Sequence, residues 1–114
     1  MNSNFILLNN TKKTIYYINK QLINFPKSEM ILKENIERNM YELIECIFYY
    51  NINDSIKIKE KYLKDLIVKL SMLDFYIEAS FEKRIISKKK LESTCRFIIE
   101  IRKIAYGIIR KDKV

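Results

Sequence analysis

Apolar residues recur every three or four positions along almost the whole chain, a spacing that belongs to amphipathic helices and not to strands. Ile15, Ile18, Leu22 and Ile23 keep it, with Tyr16 on the adjoining flank, and predict a first helix from Asn9 to Asn24. Residues 1–8 open with a polar stub and a short apolar run, and their structure is left open. Phe25-Pro26 ends the first helix, because proline biases its predecessor away from helical dihedrals. Ser28 is a suitable N-cap for a second helix, with Glu29 placed favourably against the helix dipole. Ile36, Met40, Leu43, Ile44 and Ile47 form its apolar face, which runs to about Tyr50. Asn51, Asn53, Asp54 and Ser55 mark a turn, and Asp54 or Ser55 can cap a third helix reaching Lys83. In that helix Leu63, Leu66, Ile67, Leu70, Leu73, Ile77 and Phe81 advance by three or four. Arg84 to Ile86 connect it to a fourth helix, capped by Ser87 and running to about Lys111.

Short connections favour antiparallel neighbours, so the expected fold is all-α: an antiparallel, up-down four-helix bundle. A length of 114 residues allows one domain, placed at 9–114 after the segment 1–8. Gly107 and Pro26 are the sole glycine and proline, too few turn residues for a sheet or barrel. A chain this short leaves much of its apolar surface uncovered, which makes oligomerisation an expectation from the start.

The fourth helix sharpens that expectation. Leu91, Ile98, Ala105 and Ile109 form one apolar seam, and Phe97, Ile101, Ile104 and Ile108 form a second beside it. Together they exceed the ~100° arc that a bundle helix needs to face its own core. Two seams imply two partners, so Phe97, Ile101, Ile104 and Ile108 are expected to face a neighbouring subunit in a homo-oligomer.

Candidate chemistry is sparse. The chain has no histidine, so the Glu-x-x-His metal site of bundle proteins and a His-activated nucleophile are both ruled out. One glycine cannot build a phosphate-cradling loop. The pairs Asp74/Glu78 and Glu42/Glu45 have helical spacing but read as solvated surface carboxylates. No catalytic residue, metal, cofactor or small-molecule substrate is therefore expected, and the chain does not read as an enzyme. Cys46 and Cys95 lie in apolar helical patterns without CxxC spacing, which fits buried thiols in a reducing compartment. No apolar run approaches the ~18 residues of a membrane span, and no leader pattern is present. A cytoplasmic location and no membrane partner are the expectations.

Net charge alters the picture. Of the total of +8, residues 1–82 contribute nothing, with 11 Lys/Arg against 11 Asp/Glu. Residues 83–114 hold 11 Lys/Arg against Glu92, Glu100 and Asp112. Lys89, Arg96, Lys103 and Arg110 are seven apart and share one stripe of the fourth helix. Residues so spaced lie ~10.5 Å apart along a helix, a spacing suited to contacts along a phosphate backbone of RNA or DNA. Such contacts give affinity without reading sequence. Lys88 and Lys90 begin the same helix, and Arg102, Lys111 and Lys113 add to its far end. Eight tyrosines and six phenylalanines could stack on bases, but filling the core and subunit contacts is the plainer reading. The run Phe48-Tyr49-Tyr50 must point at least one ring outward.

These residues carry a family resemblance. Phe25-Pro26-Lys27-Ser28 resembles the F-P-[KR]-S junction of the Avd-like four-helix-bundle proteins. Ile86-Ser87, Leu91-Glu92 and the run from Glu100 to Arg110 resemble that family's final helix, E-I-G-[RK]-M-L-G-G-W-L-K. This chain departs from it at Arg102, at Tyr106-Gly107 and at Ile108, where the family has glycine, a glycine pair and tryptophan. The resemblance implies an accessory protein of a diversity-generating retroelement, assembled as a pentameric barrel. It also implies that the protein binds the element's reverse transcriptase and template RNA, and supports mutagenic cDNA synthesis without catalysing it. Two other readings stand beside it: a protein–protein adaptor without nucleic-acid binding, and a bundle protein of ribosomal-RNA intervening sequences.

Overall fold

The computed structural model describes residues 3–112, with side chains described for 5–111. Four helices follow one another: α1 (Ser3–Leu22), α2 (Met30–Ile52), α3 (Ile56–Glu82) and α4 (Lys88–Asp112). Each packs on the next, and α1 packs on α4 to close the ring, while the backbones of the diagonal pairs stay farther apart among the described residues. The result is an all-α four-helix bundle 46 Å long and 23 by 20 Å across.

The first helix starts two turns earlier than the apolar spacing predicts. Leu7 is fully buried, and it continues through Thr11, Thr14 and Ile18 to Leu22 as the inward face of α1. That face was disguised by its threonines. Each returns its hydroxyl to the carbonyl four residues back, Thr11 to Leu7 at 2.8 Å and Thr14 to Asn10 at 2.9 Å. A threonine so satisfied can be buried like valine. Ile23, counted with the apolar face, lies just past the helix end and is 79% exposed.

The junction after α1 corrects a second expectation. Pro26 is extended (φ −69°, ψ 154°) and leads into a single 3-10 turn, Lys27–Glu29, before α2 begins. Ser28 lies inside that turn and caps nothing; neither the turn nor α2 has a side-chain N-cap. Glu29 instead reaches across to Lys83 at 3.3 Å and ties this junction to the end of α3. The other two caps form as expected. Ser55 Oγ accepts from the Ile58 N–H at 3.4 Å, and Ser87 Oγ from the Lys90 N–H at 3.2 Å.

The core is a column of Leu and Ile from all four helices, including Ile18, Ile36, Leu43, Leu70 and Ile98, each fully buried. Ile101 and Ile108 belong to this same column, at 0% and 6% exposure. They offer no surface to a second subunit. Ile104 packs on the core from its edge, and Phe97 leans on Tyr17 of α1 with ring centres 5.0 Å apart. The second seam of α4 is thus occupied within the protomer, because α4 has a neighbour on each flank. Apolar surface does stay open elsewhere: Val68, Met72 and Phe75 on α3, and Ile99 and Tyr106 on α4.

At the end of α3, Arg84 adopts a left-handed conformation (φ 63°). Its N–H bonds the Phe81 carbonyl at 2.9 Å, and the Ile85 N–H bonds that of Ser80 at 2.9 Å. This is a Schellman ending with arginine where glycine is preferred. A side chain in that region is strained by about 1 kcal/mol. Arg84→Gly should therefore raise stability by about 0.5–1 kcal/mol, visible as a Tm a few degrees higher in thermal unfolding.

Candidate nucleic-acid interface

The helices divide the charge unequally. In α4 eight cations face only Glu92, Glu100 and Asp112. In α1 Lys12, Lys13 and Lys20 stand without a single carboxylate. The carboxylates concentrate in α2 and α3, where they meet lysines: Lys69 with Glu42 at 3.1 Å, and Lys61 with Asp65 at 3.0 Å. Closing the ring sets the two cationic helices side by side.

Sequence reasoning found half of this face and missed the other. Averaged over 82 residues the first part of the chain is neutral, which hid the fact that residues 1–28 hold four lysines and no acid. A narrower window would have shown it. That α1 lies against α4 could follow only from the packing.

The eight cations of α4 do not behave alike. Lys88, Lys89, Lys90, Arg96, Arg110 and Lys111 are exposed and form no ion pair among the described residues. Arg96 donates only to the Ser93 hydroxyl, at 3.2 Å. Lys103 lies 3.8 Å from Glu100 with both side chains mostly exposed, a contact that water and salt reduce to little. Arg102 is different: its guanidinium donates to Asp74 of α3 at 2.7 Å, and both are largely shielded. It is a strut between two helices and is withdrawn from the candidate interface. Lys113 lies outside the described residues.

Two shallow grooves run along the α1–α4 face. One, of about 490 Å³, is lined by Lys12, Lys13, Tyr16, Tyr17, Lys20 and Phe97. The other, of about 440 Å³, is lined by Asn10, Lys13, Tyr17, Ser93, Arg96, Phe97 and Glu100. Lys20 sits 4.6 Å from the centre of the Tyr16 ring. On the far side of the bundle the consecutive aromatics divide: Tyr50 is buried, Phe48 is exposed, and Tyr49 stacks on Tyr62 at 4.9 Å.

The remaining candidates resolve into structural parts. Of the paired carboxylates, Asp74 and Glu42 are held in ion pairs, while Glu78 and Glu45 are exposed. Among the described residues, no group of three or more His, Cys, Asp or Glu is placed to hold a metal ion, and no helix is long and apolar enough to cross a membrane. Cys46 is buried and Cys95 half-buried, both as free thiols. Burial, helped by the nearby Asp65 carboxylate, pushes the Cys46 thiol from 9.0 up to about 11. Burial also raises Cys95, aided by Asp74 and Glu78 and opposed by Arg102.

No family model matches the chain, and no curated protein matches its sequence. Among solved structures it is similar to a protein of unknown function from the S23 ribosomal protein family of Bacteroides thetaiotaomicron, with a TM-score of 0.84 and 14% identity. The match covers 96% of this chain and 99% of that one. At that identity the likeness establishes a common fold and nothing further.

Two measurements test these assignments. Arg102→Gln strands Asp74 and should cost about 1–2 kcal/mol in urea unfolding, whereas Lys103→Gln should change stability by less than about 0.5 kcal/mol. At pH 8 a thiol raised to about 11 holds roughly a hundredfold less thiolate than an ordinary one at 9.0. Alkylation of Cys46 in a Cys95→Ser variant should be slower than in urea by at least that factor, and should accelerate as pH rises toward 11.

Proposed function

We propose that the chain is a non-catalytic nucleic-acid-binding protein whose α1–α4 face holds RNA or DNA by its phosphates, without reading sequence. The observation that carries this reading is the set of exposed cations on two adjacent helices, most of them without an ion pair among the described residues, with most of the acids on the other two helices. Lys89, Arg96, Lys103 and Arg110 form one row, and Lys13 and Lys20 of α1 form a second beside it. Phosphate contacts of this kind supply affinity that falls steeply with salt. From the resemblance to Avd-like bundles, we propose a protein that works beside a reverse transcriptase, as an accessory to mutagenic cDNA synthesis in a diversity-generating retroelement. On that reading it works as a homo-oligomer, a pentamer by resemblance. With Ile101 and Ile108 buried in the protomer, the subunit contact falls on apolar surface that stays open, such as Val68, Met72 and Phe75 of α3 or Ile99 and Tyr106 of α4.

That same apolar surface favours a second reading, a protein–protein adaptor that binds no nucleic acid. Tyr106 and Ile99 lie on the flank of α4 turned toward α3, beside the Arg102–Asp74 strut, and a partner protein could cover them.

Filter binding with unrelated RNAs separates the two. The nucleic-acid reading expects retention that falls at least about thirtyfold between ~50 and ~200 mM salt, given four or more neutralised phosphates. Replacing Lys89, Arg96, Lys103 and Arg110 by Gln should abolish retention and leave the helical content unchanged. Lys13→Gln with Lys20→Gln should weaken it, and Lys57→Gln with Lys64→Gln on α3 should not. A pure adaptor gives no retention at any salt.

A further inference from the structure

The α1–α4 face contains more than phosphate binding requires. Cations alone would hold a backbone, yet here an aromatic pair lies between two cationic rows. Tyr17 and Phe97 meet with ring centres 5.0 Å apart at a 35° tilt, and both rings line both grooves. Neither is sealed into the core. Tyr16 beside them is 67% exposed, with the Lys20 ammonium over its ring. On α1 the lysines at 13 and 20 bracket the tyrosines, about 10.5 Å apart along the axis. On α4 Arg96 directly precedes Phe97. Glu100 borders one groove, and its carboxylate faces Lys103 at 3.8 Å.

We propose that this trough binds single-stranded nucleic acid in preference to duplex. Lys13, Lys20 and Arg96 hold the backbone, and one or two bases lie against Tyr16, Tyr17 and Phe97. The inference rests on the nucleic-acid reading above and narrows it to one class of strand. A duplex keeps its bases stacked on one another and presents only phosphates to the outside of a bundle. A single strand can turn a base into a groove while its phosphates stay on the cations. Stacking on an aromatic ring is available to every base, so it adds affinity without adding sequence preference. Lysine over an aromatic face also keeps the rim cationic where the base would meet it.

The test compares an unstructured single strand of about 20 nucleotides, as RNA and as DNA, with a duplex of equal length by fluorescence anisotropy at one salt concentration. One stacked base predicts about tenfold tighter binding of the single strand. Preference in either the RNA or the DNA arm supports the proposal, and the arm that shows it identifies the sugar. Tyr17→Leu with Phe97→Leu keeps apolar bulk and charge and leaves Tyr16 alone of the three rings; it should reduce the preference while duplex affinity and salt slope stay as they were. Because those rings also help close α1 on α4, a second measurement uses the unaltered protein. RNA carrying 4-thiouridine, photocrosslinked and digested with trypsin, should leave adducts on peptides 14–20 and 97–102. Equal affinity for single strand and duplex, or adducts only on other peptides, overturns the trough and leaves the phosphate-binding face standing. Loss of both affinities in equal proportion in the double variant does the same. Absence of binding to any strand overturns the parent reading as well.

Discussion

The closure of α1 onto α4 is the contact on which the rest depends. Two helices, both strongly cationic, are held side by side because their inner faces share one core: Leu7 and Ile18 with Ile98, Ile101 and Ala105. Each large aliphatic side chain buried there is worth about 1.5–3 kcal/mol. Exposed charges about 10 Å apart repel by only a few tenths of a kcal/mol in water, and salt screens even that. Burial wins easily. A surface of concentrated positive charge is therefore a by-product the fold can sustain.

Buried polar groups make that closure specific. Gln21 of α1 donates to the Thr94 hydroxyl of α4 at 3.1 Å, and Thr94 donates in turn to the Lys90 carbonyl at 2.7 Å. Asn39 of α2 likewise donates to the Lys69 carbonyl of α3 at 3.1 Å. Sliding either helix pair by one turn would strand these amides in the core. The arrangement is not free of cost, since Gln21 Oε1 and Asn39 Oδ1 find no hydrogen-bond partner among the described residues. A stranded buried acceptor costs about 1–3 kcal/mol. An apolar seam alone tolerates small slips; two helix pairs with a buried amide each do not.

The cations of α4 show how one helix serves two purposes. Arg102 spends its charge within the protein, in the ion pair that ties α4 to Asp74 of α3. Gly107 has nothing near its open side, so no element of this protomer needs it small. The lysines at the start of α4 oppose the helix dipole and are not neutralised. They weaken the helix slightly and strengthen the field outside it.

The chain's own pattern was enough to reveal four helices, their order, two of the three N-caps and most of the core, because apolar spacing and capping act over a few residues. It also revealed the row from Lys89 to Arg110. It misled where local signs are ambiguous: the threonines at 11 and 14 that disguised the inward face of α1, the serine at 28 that caps nothing, and the second seam of α4. Burial at Ile101 and Ile108 depends on which helices stand beside α4, and residue spacing along one helix does not say so. The partnership of Lys13, Lys20 and Tyr17 with Arg96 and Phe97 was likewise beyond reach. Those residues are some eighty positions apart, and only the closing of the ring brings them to one face.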